Sequence, residues 1–163
     1  MKKLVFISII TSGLFSSCGE KSEDGLSYDS SKTSISVVWN DKPLEFTRIT
    51  NGTIPGGEVT QIWLDDKDYK SKLSLRWGRE GFDGPYNFDE VPSISFEFFN
   101  NGEKEEYRVA DDVKRSDYQI FHDDKRVYRF KGTLNLRPTN EQARQENPEG
   151  GTIELDVQKE KRK

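Results

Sequence analysis

From residue 33 onward, apolar side chains recur at every second position in short runs, and clusters of Gly, Pro, Asn and Asp separate the runs. Alternation of this period turns one face of a strand inward and the other to solvent, and turn residues between runs reverse the chain. Ile35, Val37 and Trp39 share one face of a first strand. Asn40-Asp41-Lys42-Pro43 makes a turn, and Leu44 and Phe46 open the return. Thr50 to Gly57 reads as a loop, because Asn51-Gly52 and Pro55-Gly56-Gly57 are breakers. Val59 to Leu64 and Leu73 to Trp77 alternate as the next two strands, turned at Asp65-Asp66-Lys67-Asp68. Gly78 to Pro92 is the longest irregular stretch, with Tyr86 and Phe88 as a short pairing inside it.

Ile94, Phe96 and Phe98 form a further strand that reverses at Asn100-Asn101-Gly102 into Tyr107 and Val109, since Asn-Gly tolerates positive φ. Tyr118 and Ile120 begin another, turned at His122-Asp123-Asp124-Lys125. In the long run Val127 to Leu136, residues Tyr128, Phe130, Leu134 and Leu136 are expected on one face, with Gly132 marking a bulge or a close contact. Asn140 to Glu146 is compatible with a turn or two of helix between Pro138 and Pro148, and Ile153, Leu155 and Val157 close the domain. The pattern predicts an all-β domain over residues 33–158: an antiparallel β-sandwich of about 8–10 short strands, with an up-and-down, lipocalin-like barrel as the alternative. A charged tail, 159–163, follows.

The first 18 residues differ in kind. Lys2 and Lys3 precede the apolar run Leu4 to Leu14, and Cys18 is the only cysteine of the chain. The run is too short to span a bilayer, which takes ~20 residues, and has the proportions of a signal peptide. Leu14-Phe15-Ser16-Ser17-Cys18-Gly19 resembles the lipobox of bacterial lipoproteins. Phe15 stands where that family most often has leucine, and Leu14 lies one place further back. The resemblance implies removal of residues 1–17 and acylation of the Cys18 sulfur. Acyl chains worth ~0.8 kcal/mol per buried methylene would then hold the chain on the outer membrane of a cell envelope. Residues 18–32 are polar, with Glu20, Glu23, Asp24 and Asp29 among serines, and read as a flexible tether. The acidic run after the cysteine resembles the surface-export signal of Bacteroidota lipoproteins, and it leaves open which side of the membrane the domain faces.

Charge narrows the partners. The chain has 25 basic and 29 acidic residues, a net −4; residues 1–17 hold two of the lysines and no acid, so cleavage takes the net to −6. A nucleic-acid binder would carry a basic face, so nucleic acid is not an expected partner. A single cysteine allows no internal disulfide. Only 32% of residues are hydrophobic but 12% are aromatic, so large rings must supply much of the buried area.

Gly84-Pro85-Tyr86-Asn87-Phe88, the Ile94 to Val109 hairpin, Tyr128 to Leu134 and Gly151-Thr152-Ile153 together are similar to small uncharacterised Bacteroidota lipoproteins. That resemblance implies a compact β domain on a lipid anchor and no particular activity.

Candidate chemistry is sparse. His122 beside Asp123 and Asp124 has the composition of a base with an orienting carboxylate, yet no Gly-x-Ser-x-Gly elbow supplies a nucleophile. Zinc needs three or four ligands, mostly N or S, and the chain has one histidine. Asp65-Asp66-Lys67-Asp68 and Asp111-Asp112 lack calcium-loop spacing, because Lys70 stands where an oxygen donor is required. No catalytic residue, metal or cofactor is assigned, and an enzyme is not expected. Trp63 lies opposite Ile62 and Leu64 in its strand, and Phe82 and Tyr86 sit in the Gly/Pro-rich loop, so these three are the binding candidates. The expected function is a lipid-anchored binding or assembly module for an envelope protein or a glycan. The alternatives are a barrel that carries a small apolar ligand and, further off, an envelope hydrolase using carboxylates.

Overall fold

A computed structural model describes residues 20–21, 25–53, 59–65, 70–78, 86–100, 102–123 and 126–161. Cys18, Phe82, Asp66 and Asp68 lie outside the described residues. The strands are β1 Glu20–Lys21, β2 Ser27–Tyr28, β3 Ser34–Trp39, β4 Lys42–Leu44, β5 Arg48–Thr53 and β6 Val59–Asp65. They continue with β7 Ser71–Gly78, β8 Ser93–Asn100, β9 Glu103–Val109, β10 Tyr118–His122, β11 Val127–Pro138 and β12 Gly151–Gln158. A 3₁₀ turn, Arg115–Asp117, precedes β10, and one short helix, α1 (Glu141–Glu146), joins β11 to β12.

The fold is all-β, as the alternation predicts. Ten strands form one antiparallel sheet in the order β4-β3-β12-β11-β9-β8-β7-β6-β5, with β10 added on β11. The twelve-residue β11 is its hub. One edge of β11 pairs with β12 from Arg129 to Leu136. The other edge is shared: β10 takes Val127 to Gly132, and β9 takes Leu136 to Pro138. The sheet curls around its inner face, and the Asn51 side chain on β5 reaches across to donate to the Val127 carbonyl on β11. The β4 edge is only three residues long and carries Lys42 and Pro43, which discourages pairing with another chain.

The inner face holds one core, and rings dominate it. The Trp39 ring lies 4.9 Å from Tyr107 and 5.2 Å from Phe96. The Phe130 ring lies 5.9 Å from Trp77 and 5.3 Å from Tyr118. Offset and edge-on contacts of this kind add to the burial of ring area. Phe99, 49% exposed, is the large hydrophobic residue left outside among the described residues.

Local chemistry explains the reversals. Asn40 and Asp41 both take positive φ (46° and 62°), which suits a two-residue hairpin between β3 and β4. Asn140 caps α1 by accepting from the Ala143 N–H. The same amide also mimics a strand partner for β9, accepting from Glu106 N at 3.1 Å and donating to Lys104 O. The helix thereby covers the stretch of β9 that β11 leaves unpaired.

Three expectations change, and one of the two roles expected for Gly132 is decided. Thr50 to Thr53 belongs to β5 rather than to a loop, because Asn51 and Gly52 find ladder partners in Ile62 and Gln61. Tyr128 does not share the inward face with Phe130. The β10–β11 register shifts between Phe121 and His122, and the resulting bulge turns Tyr128 outward, 5.8 Å from the Tyr28 ring. Gly132 marks the close contact instead: a Cβ there would stand 2.6 Å from the Tyr118 Cβ. Finally, the segment expected as tether is packed from Leu26 (6% exposed) and Tyr28 (1% exposed) onward, and residues 159–161 of the expected tail are tied by backbone hydrogen bonds.

Candidate functional site

After β7 the chain returns to the sheet through residues 86–92. Asn87 N–H bonds the Gly78 carbonyl at 2.9 Å, which fixes where the segment lands. Phe88 then buries its ring 6.2 Å from Trp77 and 4.1 Å from His122. Tyr86, half-buried, lies 5.7 Å from Phe88. Two residues on, the Glu90 carbonyl accepts from the Tyr118 hydroxyl at 2.6 Å. Residues 86–90 are thus held against β10 from both ends.

Beside this crossing lies an open groove of about 520 Å³, lined by Asp89, Arg115, Ser116, Tyr118 and Gln119. The 3₁₀ turn presents Arg115 and Ser116. Asp117 holds that turn closed, accepting from Lys114 N at 2.7 Å through its side chain. Arg115 is oriented by its bond to the Tyr118 carbonyl at 2.8 Å and by its guanidinium 4.7 Å over the Tyr118 ring. One carboxylate, one guanidinium, a hydroxyl and an amide therefore line the same hollow. This set can both donate and accept along a polar ligand of neutral or mixed charge, such as a sugar chain or a peptide segment. A smaller hollow of about 160 Å³ lies on the outer face of β3, β12 and β11, between Ser36, Lys131, Thr133, Glu154 and Asp156. Asp156 there is engaged by the Arg129 guanidinium at 2.9 Å.

The binding candidates from the sequence fare differently. Tyr86 packs on Phe88, which packs on His122, and is not among the residues lining the groove. Trp63 stands in β6 opposite Thr50 and Ser74, with its side chain outside the described residues, as is all of Phe82. His122 Nδ1 contacts the Asp123 carbonyl at 2.8 Å, and the Asp123 side chain accepts from Arg126 N; Asp124 lies outside the described residues. Asp111 pairs with Arg137, and Asp112 accepts from Asn135 at 3.3 Å, so both belong to a braced turn. Among the described residues no group of three or more His, Cys, Asp or Glu is placed to hold a metal.

One polar cluster escaped the sequence. Glu105, 1% exposed, accepts from the Tyr107 hydroxyl at 2.6 Å, and Tyr107 in turn accepts from Asn147 Nδ2 at 2.9 Å. The second Glu105 oxygen has no partner. Burial first, and the bond to Glu105 second, push the Tyr107 hydroxyl well above the ordinary tyrosine range. The signal was present: Glu105 shares the alternating face of Tyr107 and Val109. Comparison with protein-family profiles, with curated proteins and with solved structures finds no match in any of the three.

Proposed function

We propose that this chain is a lipid-anchored cell-envelope protein whose β domain is a binding or assembly module. The observation that carries the proposal is the lysine-led apolar leader ending at the only cysteine, Cys18. The groove at Asp89, Arg115, Ser116 and Gln119 is the contact surface, and its ligand is a polar chain, a glycan or a peptide segment of another envelope protein. Surface contact is preferred to interior carriage because the rings of Trp39, Phe96, Tyr107 and Phe130 occupy the space that a barrel would offer to an apolar ligand. Hydrolysis by paired carboxylates is not favoured, since the groove presents the single carboxylate of Asp89.

Replacing Cys18 with Ala tests the anchor. The variant precursor should carry no acyl label and should leave the membrane fraction. A Cys18→Ala protein that stays acylated and membrane-bound overturns the proposal.

A further inference from the structure

We propose, resting on acylation of Cys18, that the N-terminal segment holds the domain in one orientation on the bilayer, with the surface around Ser30, Tyr128 and Lys161 against the phospholipid headgroups.

Residues 26–33 are fastened to the sheet at several independent points. The Tyr28 ring stacks on Phe121 at 4.3 Å, and its hydroxyl donates to the Lys159 carbonyl at 2.9 Å. The Gln158 amide, itself 5% exposed, accepts from Asp29 N at 3.3 Å and donates to the carbonyls of Asp29 and Lys32 at 3.2 Å. Arg129 donates to the Ser27 carbonyl. The other chain end locks over the same segment, with Lys161 N bonding Ser30 O at 3.0 Å and Glu160 N bonding Thr33 Oγ1 at 3.1 Å.

The chain then doubles back. Glu20 pairs with Tyr28, and Lys21 with Ser27. Glu20 is thereby held about 5 Å from Tyr28, and Cys18 precedes it by two residues in the sequence. A lipid on Cys18 draws this corner of the domain to the membrane. A free tether of the same sequence length would leave every orientation open.

The corner suits a headgroup layer. Tyr128 is a half-buried amphipathic ring with the Lys161 ammonium 5.2 Å above it. Lys32, with a side chain 73% exposed, is paired to Asp29 at 3.2 Å, and Arg126 bonds through its backbone to Asp123. The chain end Lys159-Glu160-Lys161 leans basic, so neutral lipid is the probe that isolates the anchor from charge attraction. Tyr118, in the groove, pairs with Gly132, four positions along β11 from Tyr128. At about 3.3 Å per residue the groove stands some 13 Å along the strand from Tyr128 at the membrane corner.

The test uses the full acylated protein in phosphatidylcholine vesicles containing headgroup spin-labelled lipid. A maleimide fluorophore is placed on Ser30→Cys or on Glu141→Cys, the latter in α1 at the other end of β11; Cys18, as a thioether, does not react. Quenching should be at least threefold stronger at position 30. Equal quenching at the two positions, or the reverse order, overturns the inference. In a Tyr28→Ala background the contrast should collapse toward one; an unchanged contrast also overturns it. Mass spectrometry and vesicle flotation are read on the same samples. Protein with no acyl mass that does not float refutes the anchor itself, whereas acylated, floating protein with equal quenching refutes only the fixed orientation.

Discussion

Replacing Tyr107 with Phe should isolate the worth of the buried Glu105 cluster. The substitution keeps the ring, and with it the contacts to Trp39 at 4.9 Å and to Phe98 at 6.0 Å, so little apolar burial changes. It removes one hydroxyl, which donates to Glu105 at 2.6 Å and accepts from Asn147 at 2.9 Å. Glu105 already has one oxygen without a partner, and the change would orphan the second at a residue that is 1% exposed. An unsatisfied buried acceptor costs about 1–3 kcal/mol, toward the upper end where the lost bond was made to a carboxyl group. For a domain of this size that corresponds to a fall in Tm of roughly 5–12 °C, with the urea m-value unchanged. Urea and thermal unfolding followed by tryptophan fluorescence would measure it. The double variant Glu105→Met with Tyr107→Phe removes both partners at similar volume and should recover most of the loss, because no buried acceptor is left behind. A loss below about 0.5 kcal/mol in the single variant, or a double variant as unstable as the single one, would refute the reasoning.

Gly132→Ala should destabilise by about 2–4 kcal/mol, because the new methyl meets the Tyr118 Cβ at 2.6 Å and the Asp117 carbonyl at 2.8 Å, both on the paired strand or its turn. Hydrogen exchange should show the loss concentrated in β10, and a change below about 0.5 kcal/mol would contradict the packing described. Alkaline pH should weaken the fold through Tyr107 and Tyr128. Burial is the largest cause of the raised pKa of both hydroxyls in the folded chain, whose ordinary value is 10.0. The unfolded chain therefore loses these protons first, so the stability they contribute is intact below about pH 10 and is lost as pH rises through the higher folded values. The urea midpoint should fall from about pH 10 upward, and less steeply in Tyr107→Phe; identical slopes would count against the assignment.

Most strand positions could be read from alternation because each strand hides one face, and Leu73-x-Leu75-x-Trp77 or Ile94-x-Phe96 carries that signal undiluted. Asn51-Gly52 was misread because breakers report local preference, while β5 is held by its ladder to β6 and by the bond from Asn51 to β11. Leu26 and Tyr28 show the same period of two, hidden among charges and serines that suggested a tether. The bulge that turns Tyr128 outward depends on pairing with β10, which no single strand reveals. The groove was harder still. Asp89 comes from one segment and Arg115, Ser116 and Gln119 from another, and the landing of Phe88 on His122 together with the Glu90–Tyr118 bond brings them side by side.

The pairing of β3 with β12 sets Val37 against Leu155, nearly opposite ends of the domain sequence. A chain emerging from its N-terminal side, whether from a ribosome or through a secretion pore, exposes β3 long before the strand that covers it exists. Loop closure over such a distance is slow. The sequential pairs from β5 to β9 can close locally, whereas the β3 side of the sheet is completed only once the last strand is available.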